Sequence, residues 1–336
     1  MQACIYGLSG ERLTDDEREF FKDANPAGYI LFGRNTVSKE PLKALTAELK
    51  ELHGRDDVPI LIDQEGGRVA RMREPEWVNF PAMDKFEDLY EIAPSSAIEA
   101  ARVNARAIGL MLAEHGINVD AMPVLDVRQP GASRIVGDRS FGPDPLRVAS
   151  LGRAVIAGLH SAGVVSIIKH IPGHGRATVD SHKARPFVSA NAVELDDDLY
   201  PFERLHDAPM GMVAHVVYEA WDSDHVASQS ATVVQEIIRG RIGFDGFLMS
   251  DDLNMAALEG PVAERAVGVL YAGCDVALHC SGKMEEMVEV AKICPEMTSR
   301  AKERMDEAMQ AVRERDDGDL DFAEAIKKRD QLLALA

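Results

Sequence analysis

The chain has 336 residues with 46% hydrophobic side chains, a length that allows either two ordinary domains or one large α/β barrel. Its net charge of -19 disfavours a nucleic-acid backbone or an anionic membrane as the main partner, because the long-range electric field repels both. The four cysteines include no CxxC pair, which predicts free thiols. The sequence does not start with a basic segment followed by a long apolar one. These two features predict a soluble cytoplasmic protein.

Eight short apolar and β-branched segments recur along the chain and predict strands, since each ends in polar or glycine-rich residues. In chain order these predicted strands are Ala3–Leu8, Gly28–Phe32, Val58–Gln64, Ile117–Asp126, Val164–His170, Gly211–Tyr218, Gly246–Asp251 and Asp275–His279. Helical periodicity separates them, with a proline near the start or a glycine after the end of several helices. The helices predicted in this way include Glu40–His53, Ser95–His115, Asp144–Ala162 and Thr232–Arg241. The charged stretch from 298 to 336 predicts one or two amphipathic surface helices.

Alternating strands and helices in a chain of this length favour a closed parallel (β/α)8 barrel over a doubly wound sheet. Polar residues fall at the C-terminal ends of several predicted strands, the face of a barrel that carries active sites. These residues are Asp63, Asp126, Lys169, His170, His215, Asp251 and Asp252. The sequence therefore predicts a TIM-barrel-like fold with its active site at that face.

The segment KHIPGHGRATVDSH, from Lys169 to His182, directly follows one of these strands. Asp180 and His182 are two residues apart, so in an extended stretch their side chains would share a side, where the carboxylate could fix the imidazole tautomer. A histidine held in this way suits general acid/base catalysis, because its pKa lies near neutrality. The alternative is a solvated loop histidine beside a capping aspartate.

A metal site is a second interpretation of the same segment, because neutral imidazoles are common metal ligands. His170 and His174 have the four-residue spacing of a helical zinc pair. Pro172 and Gly173 lie between them and disfavour a continuous helix. We therefore expect no metal and no other cofactor, and we expect His174 to brace the loop.

The segment FLMSDDLNM ends a predicted strand in two carboxylates, Asp251 and Asp252. Because side chains alternate along a strand, one should face the barrel mouth and the other should point away. The first could act as a nucleophile or base while the second braces the loop or caps the next helix. The alternative is that both carboxylates only cap a helix.

The segment DQEGGRVAR places Asp63 at a strand end and Arg71 eight residues later. A carboxylate accepts hydrogen bonds from paired hydroxyl groups, and arginine supplies a planar fork of donors, so these groups suit a sugar. Arg139 lies in the segment GDRSF. This segment taken alone predicts a surface residue, but Arg139 would contact the ligand if it lies at the barrel mouth.

Taken together, these four elements resemble the β-N-acetylglucosaminidase branch of glycoside hydrolase family 3, and the resemblance covers nearly the whole chain. It implies a single catalytic barrel domain over residues 1–336, with residues 298–336 as helices packed on its surface. It also implies exo-hydrolysis of terminal β-linked N-acetylglucosamine with retention of configuration. The implied substrate is a cell-wall muropeptide, N-acetylglucosamine linked to anhydro-N-acetylmuramic acid with or without peptide, recycled in the cytoplasm.

The matching positions carry the roles that this resemblance implies. Asp251 is the nucleophile, His182 the general acid/base and Asp180 its partner. The implied sugar-binding residues are Asp63, Arg71, Arg139, Lys169 and His170. The alternatives are another exo-β-glycosidase, such as a β-glucosidase, or a catalytically inactive sugar-binding protein. We further expect a monomer, and a loop that closes over the sugar at Asp180–His182.

Overall fold

The fold is taken from a computed structural model that describes residues 1–133, 135–310 and 319–336. Its strands are β1 (Gln2–Gly7), β2 (Pro26–Leu31), β3 (Ile60–Ile62), β4 (Val119–Asp120), β5 (Val165–Ile171), β6 (Phe187–Val188), β7 (Met210–Val213), β8 (Val217–Tyr218), β9 (Phe247–Asp252) and β10 (Val276–His279). Eight of these described strands close into a parallel barrel in the order β1-β10-β9-β7-β5-β4-β3-β2. A separate two-stranded sheet joins β6 to β8. The predicted (β/α)8 barrel is therefore confirmed.

Each of the eight predicted strands overlaps a barrel strand, but three predictions were too long, and of Val58–Gln64 only Ile60–Ile62 forms the strand. The segment 117–126 pairs regularly only at β4, because Pro123 has no backbone N–H to donate to the sheet. The segment 211–218 divides between the barrel and the small sheet, with β7 ending at Val213 and β8 starting at Val217. Beyond both strands the chain forms loops at the barrel mouth.

The helices surround the barrel and alternate with its strands. Their bounds are Asp15–Ala24, Lys39–His53, Asp84–Ile92, Pro94–Glu114, Pro145–Ser161, Asp196–Arg204, Val233–Ile242, Val262–Ala272, Met284–Ile293, Ser299–Ala308 and Phe322–Leu333. Asp144 caps one of them by accepting from the N–H groups of Leu146 and Arg147. The helix predicted at 232–241 forms as a π-helix and ends before Gly243, whose φ of 74° is the left-handed value that favours glycine.

The predicted C-terminal stretch is described at residues 298–310 and 319–336, and two helices form within these described parts. Phe322–Leu333 packs against Pro94–Glu114, where Arg329 donates to the Asn104 side chain at 3.4 Å. The extent of the catalytic domain, 1–336, stays a prediction. In the described part of the chain, no helix combines the length and the apolar character that crossing a membrane requires.

The barrel strands are buried on both faces, as expected for a parallel sheet covered by helices. Below the mouth the barrel strands carry largely aliphatic side chains, such as Ile62, Val165 and Ile167, each at most 1% exposed. Polar groups replace these side chains towards the C-terminal ends of the strands. A rigid apolar barrel therefore carries a polar site at its mouth.

Candidate active site

A cavity of about 260 Å³ lies at the C-terminal ends of the barrel strands. Seven of the eight site residues predicted from the sequence line it: Asp63, Arg71, Arg139, Lys169, His170, His182 and Asp251. The eighth, Asp180, reaches the site through the His182 imidazole. Phe32, Met212 and Leu278 add apolar wall to the same cavity. Residues from distant parts of the chain thus form one site that combines charged groups with an apolar wall.

Lys169 lies at the centre of the buried charges of this site. Its Nζ is 2.9 Å from Asp63 Oδ1 and 2.6 Å from Glu65 Oε1. Asp63 also accepts from Arg71 Nη2 at 2.9 Å. Burial opposes ionisation of Asp63, but Lys169 and Arg71 outweigh it and hold the pKa of that carboxyl well below its ordinary value. Asp63 is therefore an anion ready to accept hydrogen bonds from hydroxyl groups.

Glu65 is a site residue that sequence reasoning missed. Its two oxygens accept from Arg139 Nε at 2.8 Å and Nη2 at 2.7 Å, a bidentate pair. Burial opposes its ionisation, but Arg139 and Lys169 hold the pKa of Glu65 at about 2. Its position two residues after Asp63 was the available signal. Nothing in the sequence indicated that its partner would be an arginine from another loop.

Asp126 is a second missed partner, since the sequence placed it at the mouth but gave it no role. Its Oδ2 lies 2.7 Å from His170 Nδ1, and its Oδ1 accepts from the His174 N–H at 2.7 Å. On the other side of the ring, Arg139 Nη2 lies 3.3 Å from His170 Nε2. Because arginine only donates, Nε2 accepts and the ring proton is on Nδ1, towards Asp126. Asp126 therefore fixes the tautomer and orientation of His170.

Asp251 and Asp252 end β9, and both line the cavity. The expectation that one would point away was wrong, because the strand ends here and alternation no longer separates them. Asp252 Oδ1 accepts from the N–H groups of Asn254 at 3.0 Å and Cys280 at 3.3 Å, so it braces two loops. Burial opposes ionisation of Asp251, but the nearby imidazoles of His170 and His215 hold its pKa below the ordinary value. Asp251 is thus a half-buried anion at the end of a barrel strand.

Asp180 and His182 form the expected pair, with 3.0 Å between Oδ1 and Nδ1. The segment is a turn and not the extended stretch assumed from the sequence, because Asp180 O accepts from the N–H groups of Lys183 and Ala184. Asp180 Oδ1 also accepts from the His182 N–H at 2.9 Å. Burial opposes ionisation of Asp180, but these His182 groups hold its pKa below the ordinary value. The free Nε2 of His182 is on a side chain that is 62% exposed.

The start of the loop is held tightly. A Cβ on Gly175 would lie 1.8 Å from the Val127 carbonyl oxygen, and Arg176 pairs with the buried Asp198. His174 is buried, and its Nε2 lies 3.3 Å from Ser181 Oγ, in agreement with the expected bracing role. The start of the loop is therefore anchored to the barrel, while the His182 side chain further along is mostly exposed.

The remaining sequence candidates lie around this site. His215 is fully buried and contacts Ser228 Oγ at 2.6 Å and the Asp252 carbonyl oxygen at 3.0 Å, so it supports the loop after β9. In the loop after His182, Lys183 is exposed and Arg185 pairs with Glu259 at 3.2 Å. Across residues 1–133, 135–310 and 319–336, no group of three or more histidine, cysteine or acidic side chains is placed to hold a metal ion.

Comparisons with known proteins point to one family. Residues 3–314 match the glycosyl hydrolase family 3 N-terminal domain. A β-hexosaminidase of Aromatoleum aromaticum is 40% identical over 282 residues, which cover 82% of this chain and 78% of that protein. A β-hexosaminidase of Bordetella avium is 35% identical over 305 residues, which cover 89% of this chain and 86% of that protein. NagZ from Neisseria gonorrhoeae in complex with N-trifluoroacetyl-D-glucosamine superposes with a TM-score of 0.87 at 33% identity, covering 99% of this chain and 98% of that one.

Proposed function

The chain belongs to glycosyl hydrolase family 3 and is a β-N-acetylhexosaminidase, and from this premise we propose that it releases terminal β-linked N-acetylglucosamine through a covalent glycosyl-enzyme intermediate. One observation carries this proposal. The Asp251 carboxylate, anchored on β9, and the His182 imidazole, held by Asp180, line the same cavity. A nucleophile and a proton donor on one sugar-sized cavity are what a retaining glycosidase requires.

The first half of the proposed reaction forms a glycosyl ester. Asp251 attacks the anomeric carbon while His182 Nε2 gives its proton to the glycosidic oxygen, so that the bond to the aglycone breaks as the ester bond forms. The Asp180 carboxylate stabilises the imidazolium from the Nδ1 side. In the second half, His182 takes a proton from water, and the resulting attack on the anomeric carbon releases Asp251.

The sugar-binding set supports the orientation that this chemistry needs. We assign the ring hydroxyl groups to Asp63, Arg71, Arg139, Lys169 and His170, all of which line the cavity. Anionic Asp63 accepts hydrogen bonds, while Lys169 and the two arginines donate them. Because these groups are already held by ion pairs, they lose little freedom when the sugar binds.

Replacement of the nucleophile tests the covalent step. Asp251→Ala should abolish hydrolysis of both 4-nitrophenyl and 2,4-dinitrophenyl N-acetyl-β-glucosaminides. Even a good leaving group does not restore the reaction when the nucleophile that attacks the anomeric carbon is missing. A slow fluorinated substrate should add one sugar mass to the wild-type peptide that contains Asp251. Release of the α-anomer as the first product, seen by NMR, would contradict a retaining mechanism.

Leaving-group dependence tests the acid role of His182. His182→Ala should lose roughly 10²- to 10⁴-fold in kcat/KM on a substrate with a poor leaving group, and far less on the dinitrophenyl substrate. The matched control is His225→Ala, since His225 is 61% exposed and lies 3.2 Å from Asp222 in a similar pair. The control should retain wild-type kcat/KM. Equal losses on both substrates would contradict the acid assignment.

We further propose that the Asp180–His182 turn closes over the bound sugar. This proposal is supported by a contrast within the loop, whose start is anchored at Gly175 while the His182 imidazole is exposed. To donate a proton, the imidazole must come within hydrogen-bond reach of the glycosidic oxygen. Crystals grown with and without N-acetylglucosamine should show two positions of this turn around an unmoved Asp251. One unchanged position in both crystals would contradict closure.

The proposed natural substrate is a muropeptide fragment, N-acetylglucosamine linked to anhydro-N-acetylmuramic acid. We further propose that the enzyme acts on it as a monomer in the cytoplasm. The four cysteines are free and buried, which supports a reducing compartment. The purified enzyme should split this disaccharide with a higher kcat/KM than chitobiose. Preference for chitobiose, or recovery of the protein outside the cytoplasmic fraction, would contradict the recycling role. Light scattering, which measures the mass of the protein in solution, tests whether it is a monomer.

A further inference from the structure

Glu65 is a deeply buried carboxylate whose contacts are all with groups of the site. It is 1% exposed, and Arg139 holds both of its oxygens. Its Oε1 is shared with Lys169 Nζ at 2.6 Å. Two of the cations assigned to the sugar therefore depend on one carboxylate, which is outside the set of side chains that line the cavity.

This carboxylate joins Lys169 to Arg139 in a partly buried chain of alternating charges. The chain runs from Arg71 through Asp63, Lys169 and Glu65 to Arg139. Each carboxylate lies between two cations. Its hydrogen bonds neutralise the charge of these cations and also fix the orientation of their side chains. Without the Glu65 charge, Lys169 and Arg139 would repel each other with little screening by solvent, since their side chains are 2% and 10% exposed.

We propose that Glu65 is a positioning residue for the reaction, which directs Arg139 and Lys169 towards the sugar hydroxyl groups without itself touching the sugar. The inference rests on the proposed function, because it assumes that these two cations bind the sugar. Arg139 also contacts the His170 ring, so a change at Glu65 reaches that side chain as well. Glu65 thereby orients three of the five assigned sugar contacts.

The test is Glu65→Gln, which keeps the length of the side chain and removes its charge. Because misplacing bound groups by about 1 Å costs on the order of 100-fold, we expect kcat/KM to fall roughly 100-fold. The Kd of N-acetylglucosamine, measured by calorimetry, should rise in parallel, since the sugar contacts are already made in the ground state. Glu65→Asp, which keeps the charge at a shorter reach, should recover part of both losses.

The matched control is Asp275→Asn. Asp275 is another buried carboxylate shared by two cations, at 2.9 Å from Arg239 and 3.0 Å from Arg304, and it precedes β10 at the opposite end of the barrel. This variant should lower the melting temperature as Glu65→Gln does, yet keep kcat, KM and Kd within about twofold of wild type. A purely structural role would make the two variants behave alike.

A double-mutant cycle separates action through Arg139 from a general effect on the site. In an Arg139→Lys background, the loss caused by Glu65→Gln should shrink by at least about threefold, because the bidentate fork is already gone. Wild-type constants for Glu65→Gln, or full additivity in the cycle, would overturn the inference. Failure of the wild-type enzyme to hydrolyse the nitrophenyl substrate would instead overturn the proposed function.

Discussion

Asp120 is a buried acid that interacts with the charges of Lys169, Asp63 and Glu65, and its protonation yields a quantitative prediction. It ends β4 and is fully buried, with Oδ1 accepting from the Gln64 N–H at 2.9 Å. Its Oδ2 has no hydrogen-bond partner among the described residues. Burial raises the pKa of Asp120 from 3.8 to about 8, although the Gln64 N–H and Lys169 oppose the rise. The group is therefore a neutral acid at physiological pH.

The raised pKa makes stability depend on pH in a defined direction. Between the ordinary pKa and about pH 8 the folded state binds more protons at Asp120 than the unfolded state, so the free energy of unfolding falls as pH rises. The slope for one such group is about 1.4 kcal/mol per pH unit. Asp120→Asn keeps the shape of the neutral acid and lacks this dependence. Relative to wild type, the variant should gain up to about 3 kcal/mol in stability between pH 5 and pH 7.

Urea unfolding of both proteins, followed by circular dichroism at several pH values from 5 to 9, measures this difference. The advantage of Asp120→Asn should grow up to about pH 8 and then level off. Comparing the two proteins at each pH cancels the titration of other carboxyl groups. A difference in unfolding free energy that does not change with pH would refute the conclusion that folded Asp120 is neutral.

Three further changes test other parts of the site. Asp126→Asn removes a charged hydrogen bond from His170 Nδ1 and should lower kcat/KM roughly 10- to 100-fold in steady-state assays, whereas an unchanged value would show that the tautomer does not matter. Gly175→Ala should lower the melting temperature and the activity together, because its Cβ would meet the Val127 carbonyl oxygen at 1.8 Å. Gly10→Ala is its control, since the Cβ there would meet no described atom within 4 Å. Burial raises the pKa of the Cys280 thiol well above its ordinary value, so iodoacetamide at pH 8 should leave it unmodified by mass spectrometry, and rapid alkylation would contradict this.

Part of this molecule was predictable from local patterns. Each buried strand is an apolar run followed by a polar residue, and parallel strands of a barrel end at the same face. Asp63, Lys169 and Asp251 could therefore be placed together at the mouth before any contact was known. The family motifs then assigned roles to these residues, because they preserve residue type and spacing.

Local patterns did not predict how the chain behaves where a strand ends. Alternation along β9 predicted opposite directions for Asp251 and Asp252, yet both face the cavity. An extended geometry was assumed for Asp180 and His182, yet hydrogen bonds to Asp180 fold that segment into a turn. Side-chain direction in these segments depends on hydrogen bonds that only the folded loop provides.

The fold class, the face that carries the site and the types of side chain available for chemistry follow from periodicity and motif, so they can be read from the order of residues alone. Which charges neutralise each other depends on how the folded chain brings distant segments together. Glu65 and Arg139 are 74 residues apart, and their pairing depends on how two loops meet above the barrel. Folding also buries Asp120 and changes its protonation, because a pKa responds to surroundings in space and not to neighbours in sequence.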